Sequence, residues 1–296
     1  MIVSTEQSCM PEAPTRLSDE ALADIAYLGR SGNRVKILET IVSHPHSPRE
    51  IAEATGSARS TLERILTELE DRGWAKRTPD GTYEATDTGE CVIDEFVPAL
   101  DAMEAIRNLG DTISWLPRDE LSISLAHFRD ATIRRREVDD PTEGVDQMAE
   151  LMGNTENFRV ISNLIPPDPI ATVLHDQVDA GRLTVDYVLT EGVLDYLRSR
   201  PERRERWVDT MGTDADLWIW EGDVPCNLWI FDDTVWIKND SPIQDAYGVP
   251  IITDDDTVRS WAHDLIDRYR DEATPVDIAT FAGELPADRP DSDSGH

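Results

Sequence analysis

The first third of the chain contains four consecutive patterns of apolar residues at helical spacing. They cover residues 18–29, 33–42 and 48–55, and a segment from Ser57 to just before Gly73. In the last segment four residues stand at positions i, i+3, i+4 and i+7: Leu62, Ile65, Leu66 and Leu69. This spacing predicts an amphipathic helix with one buried face.

Capping residues mark the ends of these helices. Ser47, Pro48 and Glu50 fit the N-cap, N1 and N3 positions of a capping box, in which side chains and backbone amides satisfy each other. Ser57 is expected to cap the fourth helix. Gly73 suits the position just beyond its end, where the left-handed conformation is common.

A hairpin is predicted after the fourth helix. Two short extended pieces flank the turn sequence Pro79-Asp80-Gly81. Helices followed by a β-hairpin are the order of a winged helix-turn-helix, whose second motif helix places its N-terminal part in the major groove of DNA. The sequence therefore predicts such a domain over residues 18–86.

A long helix is predicted from Thr86 or Asp87 towards Leu109, within a linker segment of residues 87–116. Pro98 is expected to kink or divide it, because proline has no amide hydrogen to donate. Five apolar residues form a stripe along the helix: Val92, Phe96, Leu100, Met103 and Ile106. The stripe fits core packing or a dimer seam. We favour the seam, since dimeric helix-turn-helix proteins hold two recognition helices one DNA turn apart.

Beyond the linker, short strands alternate with helices. Strands are predicted at 158–165, 183–189, 216–220, 228–231 and 234–238, and helices at 169–180, 192–200 and 201–210. Asp254 is expected to cap a last helix. The pattern predicts an α+β protein with an α/β domain over residues 117–274. Residues 1–17 and 275–296 are polar and contain several prolines, so both ends are expected to be disordered.

Charge and composition constrain the environment. The chain carries 60 acidic and 28 basic residues, a net charge of −32, and only three of the basic residues are lysine. A carboxylate-rich surface nearly free of lysine suits a halophilic cytoplasm, where molar salt shortens the Debye length to about 3 Å. An acidic protein that merely avoids nucleic acid would not need so few lysines. Three scattered cysteines, no signal peptide and no membrane-length apolar run also predict a cytoplasmic protein.

Residues 30–83 depart from this acidity. They hold nine basic and eight acidic residues, a net +1, so the rest of the chain carries −33. A polyanionic partner requires such a region, although a local fluctuation would also produce it. The candidate DNA contacts lie here, on the predicted recognition helix, the wing and their flanks: Arg59, Ser60, Thr61, Arg64, Lys76, Arg77, Arg34 and Arg49. Arg59 and Arg64 have an alternative role as surface residues paired with Glu63 and Glu68.

The arrangement resembles archaeal, especially haloarchaeal, winged-helix transcriptional regulators. The front segments NRVKILETI, SPREIAEATGSARSTLERILTELEDRGW and YEATDTGE carry this resemblance. Behind them RRREVDDP, FRVISNLIPP and the Trp-rich strands are similar to the effector domain of methanogenesis-regulator type. That domain is similar to the sensor half of TrmB-like sugar regulators and lies near the phospholipase D-like fold. The resemblance covers about residues 18–272 and implies a one-component regulator, with DNA binding in front and sensing behind.

The rear domain lacks the His-x-Lys pair of phospholipase D chemistry, since Trp236 stands two residues before Lys238. Four tryptophans can stack a planar or sugar-like ligand or, more commonly, fill a core beside a sheet: Trp218, Trp220, Trp229 and Trp236. The histidines of 44–46 are best explained as part of a loop, and the arginines of 134–136 as a solvated helix face. No cofactor or metal is expected.

The sequence thus predicts a DNA-binding transcriptional regulator that is not an enzyme. Its expected partners are double-stranded DNA, a second copy of itself and an unidentified small-molecule effector, without a membrane. Two alternatives stay open. The winged helix can bind protein instead of DNA, or the rear domain can hydrolyse a phosphodiester.

Overall fold

The computed structural model describes residues 18–133, 143–211, 215–239, 250–276 and 281. They belong to two compact units, which meet in sequence between Ala99 and Leu100. The predictions for residues 1–17 and for the arginines of 134–136 lie outside the described residues. Within the described part of the chain, no helix is both long and apolar enough to cross a bilayer.

The front unit contains four helices and a hairpin in the predicted order. Their bounds are α1 (Asp19–Gly29), α2 (Gly32–Ser43), α3 (Pro48–Thr55), α4 (Arg59–Asp71), β1 (Ala75–Arg77) and β2 (Tyr83–Ala85). The helices enclose one apolar core, in which Ile37, Ile51, Ile65 and Leu69 are completely buried. The inward residues of α4 are those that the helical spacing predicts.

The local capping signals are confirmed at α3 and corrected at α4. Ser47 and Glu50 form the predicted capping box, and Gly56 ends α3 with a positive φ of 66°. The N-cap of α4 is Ala58 rather than Ser57, and it makes no side-chain cap hydrogen bond. Ser57 is buried and accepts a 2.9 Å hydrogen bond from the Thr55 hydroxyl, so its side chain faces the preceding turn.

Helix α5 (Asp87–Leu109) is continuous through Pro98, so the proline does not divide it. Val92, Ile93 and Phe96 pack on the front core, whereas Ala105 and Leu109 belong to a core of the rear unit. The predicted five-residue stripe is therefore not one surface. Its last three members are exposed apolar side chains: Leu100, Met103 and Ile106.

The rear unit is built on a mixed sheet. Its strands are β3 (Thr132–Ile133), β4 (Asn157–Ser162), β5 (Thr184–Thr190), β6 (Ala215–Trp220), β7 (Asn227–Phe231), β8 (Thr234–Lys238), β9 (Ile251–Thr253) and β10 (Thr274–Pro275). Their order is β10-β6-β5-β4-β7-β8-β9-β3, with β4, β5 and β6 parallel and the other pairs antiparallel. Together with the helical front unit, this mixed sheet confirms the α+β class.

Helices cover both faces of this sheet, which is why its strands are apolar on both sides. The helices are α6 (Glu143–Asn154), α7 (Asp168–Asp179), α8 (Glu191–Arg198), α9 (Pro201–Met211) and α10 (Asp256–Glu272). Side chains alternate between the faces along each strand. Phe158 and Tyr187 point to the core shared with α6–α9, whereas Ile161 and Val188 point to the core shared with α10.

Two predicted boundaries of the rear unit move by a few residues. Asp255, not Asp254, caps α10, and its carboxylate accepts from the amides of Thr257 and Val258 at 2.9 Å. Pro275 pairs with Trp218 in the sheet, and Phe281 is buried in the core of α6–α9. Part of the predicted disordered tail therefore belongs to the rear unit.

Candidate functional site

Helix α4 presents the predicted recognition residues to solvent. Its apolar face is buried in the front core, so the opposite face points outward. The Arg59 side chain is 91% exposed and that of Arg64 is 55% exposed. Ser60 is exposed and Thr61 half-buried at the same end of the helix. The structure therefore brings these four residues together on one surface.

Both arginines form ion pairs one helical turn further along α4. Nε of Arg59 lies 2.9 Å from Oε1 of Glu63, and Nη1 of Arg64 lies 2.5 Å from Oε1 of Glu68. Desolvation alone would raise the pKa of Glu68, but the hydrogen bond from Arg64 and the nearby arginine charges bring it below the usual value. These are the pairs expected for ordinary surface arginines. Exposed pairs contribute only about 0–1 kcal/mol, so an incoming phosphate can compete for the guanidinium groups.

The first turn of α4 is free of acidic residues. Acidic residues occupy the first turn of α1, α3, α5, α7, α8, α9 and α10, whereas α2 lacks them as α4 does. At α4 the first turn instead carries Arg59, and no side chain caps the amides that follow Ala58. A helix N-terminus offers unpaired N–H groups and the positive end of the helix dipole. This end of α4 is thus suited to an anionic partner.

The hairpin supplies two more exposed cations. Nζ of Lys76 lies 3.0 Å from Glu84 on the paired strand, and that hydrogen bond raises the pKa of Lys76. The Arg77 guanidinium lies 5.9 Å from the centroid of the Tyr83 ring. Backbone hydrogen bonds between His46 and Tyr83 tie β2 to the segment before α3. The hairpin therefore holds Lys76 and Arg77 on an anchored wing.

The two flanking candidates differ. Arg49 is 86% exposed and pairs with Glu53 at 2.8 Å, so it stays a candidate. Arg34 is only 16% exposed, donates a 2.7 Å hydrogen bond to the Tyr27 carbonyl oxygen and lies 4.0 Å above the Tyr27 ring. Its guanidinium stabilises the packing of α1 on α2. The role of Arg34 as a flanking DNA contact stays a prediction, at a side chain that is already engaged within the front unit.

The four tryptophans do not form one site, because strand alternation separates them. Trp218 and Trp220 pack on the side of α10, and the Trp220 indole donates to the Asp223 carbonyl oxygen at 3.1 Å. Trp229 and Trp236 are register partners on the other face, where Trp236 is a buried core residue. Of the four, Trp229 alone lines a cavity of the rear unit.

A cavity of about 660 Å³ lies at the carboxyl ends of β4 and β5, bounded by α6, α7, α8 and α9. Its apolar walls include Met148, Met152, Phe158, Leu189, Trp207 and Trp229. The buried Tyr187 side chain also lines it, and an ion pair between Asp168 and Arg203 at 2.9 Å lies among the lining residues. Sequence reasoning did not identify this site. The available signal was the irregular segment after β4, since ligands of α/β sheets bind beyond the carboxyl ends of strands.

Other candidate chemistry finds no support. The rings of His44 and His46 stack 3.8 Å apart, and Nδ1 of His46 lies 2.6 Å from the His44 carbonyl oxygen. Among the described residues there is no group of three or more side chains placed to hold a metal ion. Cys91 is exposed and Cys226 is buried.

Comparison with sequence families matches most of both units. Residues 22–108 match the HVO_A0261 N-terminal domain, and residues 141–272 match the middle domain of the methanogenesis regulatory protein FilR1. The resemblance to an archaeal regulator with a rear domain of methanogenesis-regulator type is thereby confirmed. No curated protein sequence gave a match.

Three of the matching solved structures are distantly similar to this chain. TrmBL2, described as an archaeal chromatin protein with a novel mode of DNA binding, matches 88% of this chain and all of its own, with 14% identity and a TM-score of 0.38. The O-methyltransferase NcsB1 from neocarzinostatin biosynthesis matches 71% of this chain and 68% of its own, with 17% identity and a TM-score of 0.25. The dimethyltransferase RosA from Streptomyces davawensis matches 70% of this chain and 68% of its own, with 14% identity and a TM-score of 0.23.

Proposed function

We propose that this chain, which joins an HVO_A0261-type N-terminal domain to a FilR1-type middle domain, is a sequence-specific DNA-binding transcription regulator and not an enzyme. The regulatory role described for FilR1 supports this proposal. The observation that carries it is the N-terminal end of α4. In a chain of net charge −32, this end has no acid in its first turn and exposes Arg59 and Arg64.

In the proposed complex the N-terminal part of α4 enters the major groove. Arg59 and Arg64 exchange the carboxylates of Glu63 and Glu68 for base edges or phosphate oxygens. A good arginine–base contact contributes about 1–3 kcal/mol of discrimination. An exposed ion pair is worth about 0–1 kcal/mol, so the exchange is favourable. Ser60, Thr61 and the uncapped amides of the first turn donate to phosphate, which fixes the orientation of the helix.

The wing contributes the second contact of the proposed complex. Lys76 and Arg77 lie at the exposed strand β1 and bind the DNA backbone, while Arg49 at the start of α3 adds a flanking contact. Lysine and arginine contacts to phosphate carry no sequence information but set the register of the protein on the duplex. Base recognition therefore rests on α4.

We further propose that the protein acts as a homodimer in a salt-rich cytoplasm. Leu100, Met103 and Ile106 on α5 are exposed, and their burial against a second copy would hold two copies of α4 on one operator. Molar salt screens the repulsion between acidic surfaces. It also reduces the gain from counterion release, so binding depends on direct contacts and shape.

The rear domain is proposed to sense a small molecule and to change the spacing of the two DNA-binding units. The support is the continuity of α5, which takes part in the cores of both units, together with the cavity in the rear sheet. A relation of this domain to the phospholipase D-like fold stays a prediction from the resemblance. A ligand that leaves operator affinity unchanged would contradict the sensing role.

Electrophoretic mobility shift with promoter fragments from the native host tests the DNA-binding role. The wild-type chain should retard specific fragments, and Arg59→Ala or Arg64→Ala should weaken this by about tenfold or more. Absence of specific retardation by the wild type would favour a winged helix that binds protein instead, and a specific shift that neither variant changes would contradict the proposed contacts of Arg59 and Arg64. Turnover of a generic phosphodiester such as bis-nitrophenyl phosphate would support the enzymatic alternative.

A further inference from the structure

The hydroxyl group of Tyr187 is buried without a hydrogen-bond partner among the described residues. Its side chain is 2% exposed, and burial raises the pKa of the phenol well above its ordinary value. Folded proteins seldom leave a buried polar group unpaired, because its desolvation is then uncompensated. Tyr187 is among the residues that line the rear cavity, but its hydroxyl oxygen has almost no exposed surface, so a molecule bound there reaches this hydroxyl when a neighbouring lining side chain moves aside.

Two aromatic rings pack against the Tyr187 side chain. The ring centroid of Trp207 lies 4.8 Å from that of Tyr187, and Phe158 lies 5.9 Å away, both in edge-to-face geometry. Trp229 adds an indole to the cavity lining. A volume of about 660 Å³ falls within the range of small-molecule pockets, which are mostly apolar with a few polar groups that orient the ligand.

The polar lining limits the ligand chemistry. Asn163, Tyr196 and Arg203 are each partly exposed, and Asp168 is exposed. Arg203 and Asp168 already neutralise each other at 2.9 Å. A sugar would bury many hydroxyl groups against apolar walls, and a charged ligand would lose its hydration, so both are disfavoured. The walls instead suit a flat, neutral ring system.

We infer that the rear cavity binds a neutral aromatic compound with a carbonyl oxygen, which accepts a hydrogen bond from the Tyr187 hydroxyl. The rings of the ligand lie against the aromatic walls of the cavity. This inference specifies the ligand class of the sensing role proposed above and rests on that proposal for its regulatory meaning. Binding itself does not require DNA, so the two proposals fail separately.

The naphthyl ketone Prodan is a suitable probe, because its emission shifts when its ring system leaves water. Titration of the full-length protein, with equilibrium dialysis as a second readout, should give saturable binding of one probe per chain. Tyr187→Phe keeps the ring and removes the donor, so it should weaken binding by about threefold to tenfold. It should melt no lower than the wild type, since it removes an unpaired buried hydroxyl.

Two further variants define the site. Met148→Trp adds bulk to the α6 wall of the cavity and should abolish binding. Tyr269→Phe removes a hydroxyl that donates to Glu120 at 3.2 Å on the opposite side of the sheet, and it should leave binding unchanged.

Absence of saturable binding to the wild type overturns the inference, as does unchanged binding by Tyr187→Phe. Unchanged binding by Tyr187→Phe overturns the inference even when Met148→Trp fails to fold. A mobility shift on the same samples reports DNA binding independently.

Discussion

The guanidinium of Arg59 lies 2.9 Å from the carboxylate of Glu63, one turn further along α4. Glu63 therefore both competes for Arg59 and places a negative charge near the proposed phosphate path. Glu63→Gln should tighten operator binding by about twofold to fivefold at low salt, because an exposed pair of this kind is worth only about 0.2–1 kcal/mol.

The control for this prediction is Glu70→Gln. It removes the same charge near the other end of α4 and should change binding much less. Fluorescence anisotropy of a labelled operator measures both variants. Equal effects of the two substitutions would mean that net charge alone, and not the Arg59–Glu63 pair, limits binding.

The exposed apolar residues of α5 predict the oligomeric state. Met103 is 61% exposed and lies between Leu100 and Ile106 on the proposed dimer surface. Met103→Ser should shift a wild-type dimer towards monomer in sedimentation velocity, because it removes apolar area from the contact. Ile25→Ser, at a position 58% exposed on α1, is the matched control. Dissociation by the α1 variant and not by the α5 variant would place the contact on the other surface.

His263 is expected to contribute to the loss of folding stability at low pH. Its Nδ1 lies 2.9 Å from Nη1 of Arg159, and desolvation together with this cation lowers the pKa of His263 below 6.5. Asp267, Asp264 and Arg259 are its other charged neighbours. As pH falls below 6.5, the unfolded chain takes up this proton before the folded chain does. The contribution of neutral His263 to the free energy of unfolding is therefore complete above pH 6.5. It is lost as the pH falls through the pKa of His263 in the folded protein.

Urea unfolding of the wild type and of His263→Gln between pH 8 and pH 5 measures this contribution. The variant should lose less free energy of unfolding over that range, since the remaining acids titrate in both proteins. Parallel pH profiles would show that His263 has the same pKa in the folded and unfolded chains.

The charge of −32 predicts that salt stabilises the fold. Raising potassium chloride from low to molar concentration should increase the melting temperature by about 5 °C or more, since screening weakens the repulsion between carboxylates. Sucrose of equal osmolality tests for a general excluded-solute effect and should raise the melting temperature less. A melting temperature independent of potassium chloride would exclude a halophilic adaptation.

Local sequence signals predict the parts of this fold that depend on neighbouring residues. The capping box of Ser47 and Glu50 and the buried stripe of α4 follow from spacing alone. Ser57 is an exception, because the Thr55 hydroxyl occupies its side chain and Ala58 becomes the cap. The short strands β3 and β10 depend on partners far along the chain, which periodicity does not report.

In the candidate sites, too, some features follow from the local sequence and others depend on tertiary structure. The exposure of Arg59 and Arg64 follows from the helical period of α4, whereas the packing of Arg34 against Tyr27 of another helix depends on tertiary structure. Strand register separates the tryptophans into two faces. The cavity around Tyr187 has no sequence motif, because residues from several strands and helices form it together.

The most direct test of the DNA-binding role is genome-wide occupancy in the native host. Chains carrying Arg59→Ala with Arg64→Ala are compared with the wild type and with Arg268→Ala, which removes a rear-domain arginine of similar exposure that also pairs with a carboxylate. We expect discrete wild-type binding sites that the Arg268 variant keeps and the double variant loses. Occupancy by the double variant equal to that of the wild type would contradict DNA binding through α4.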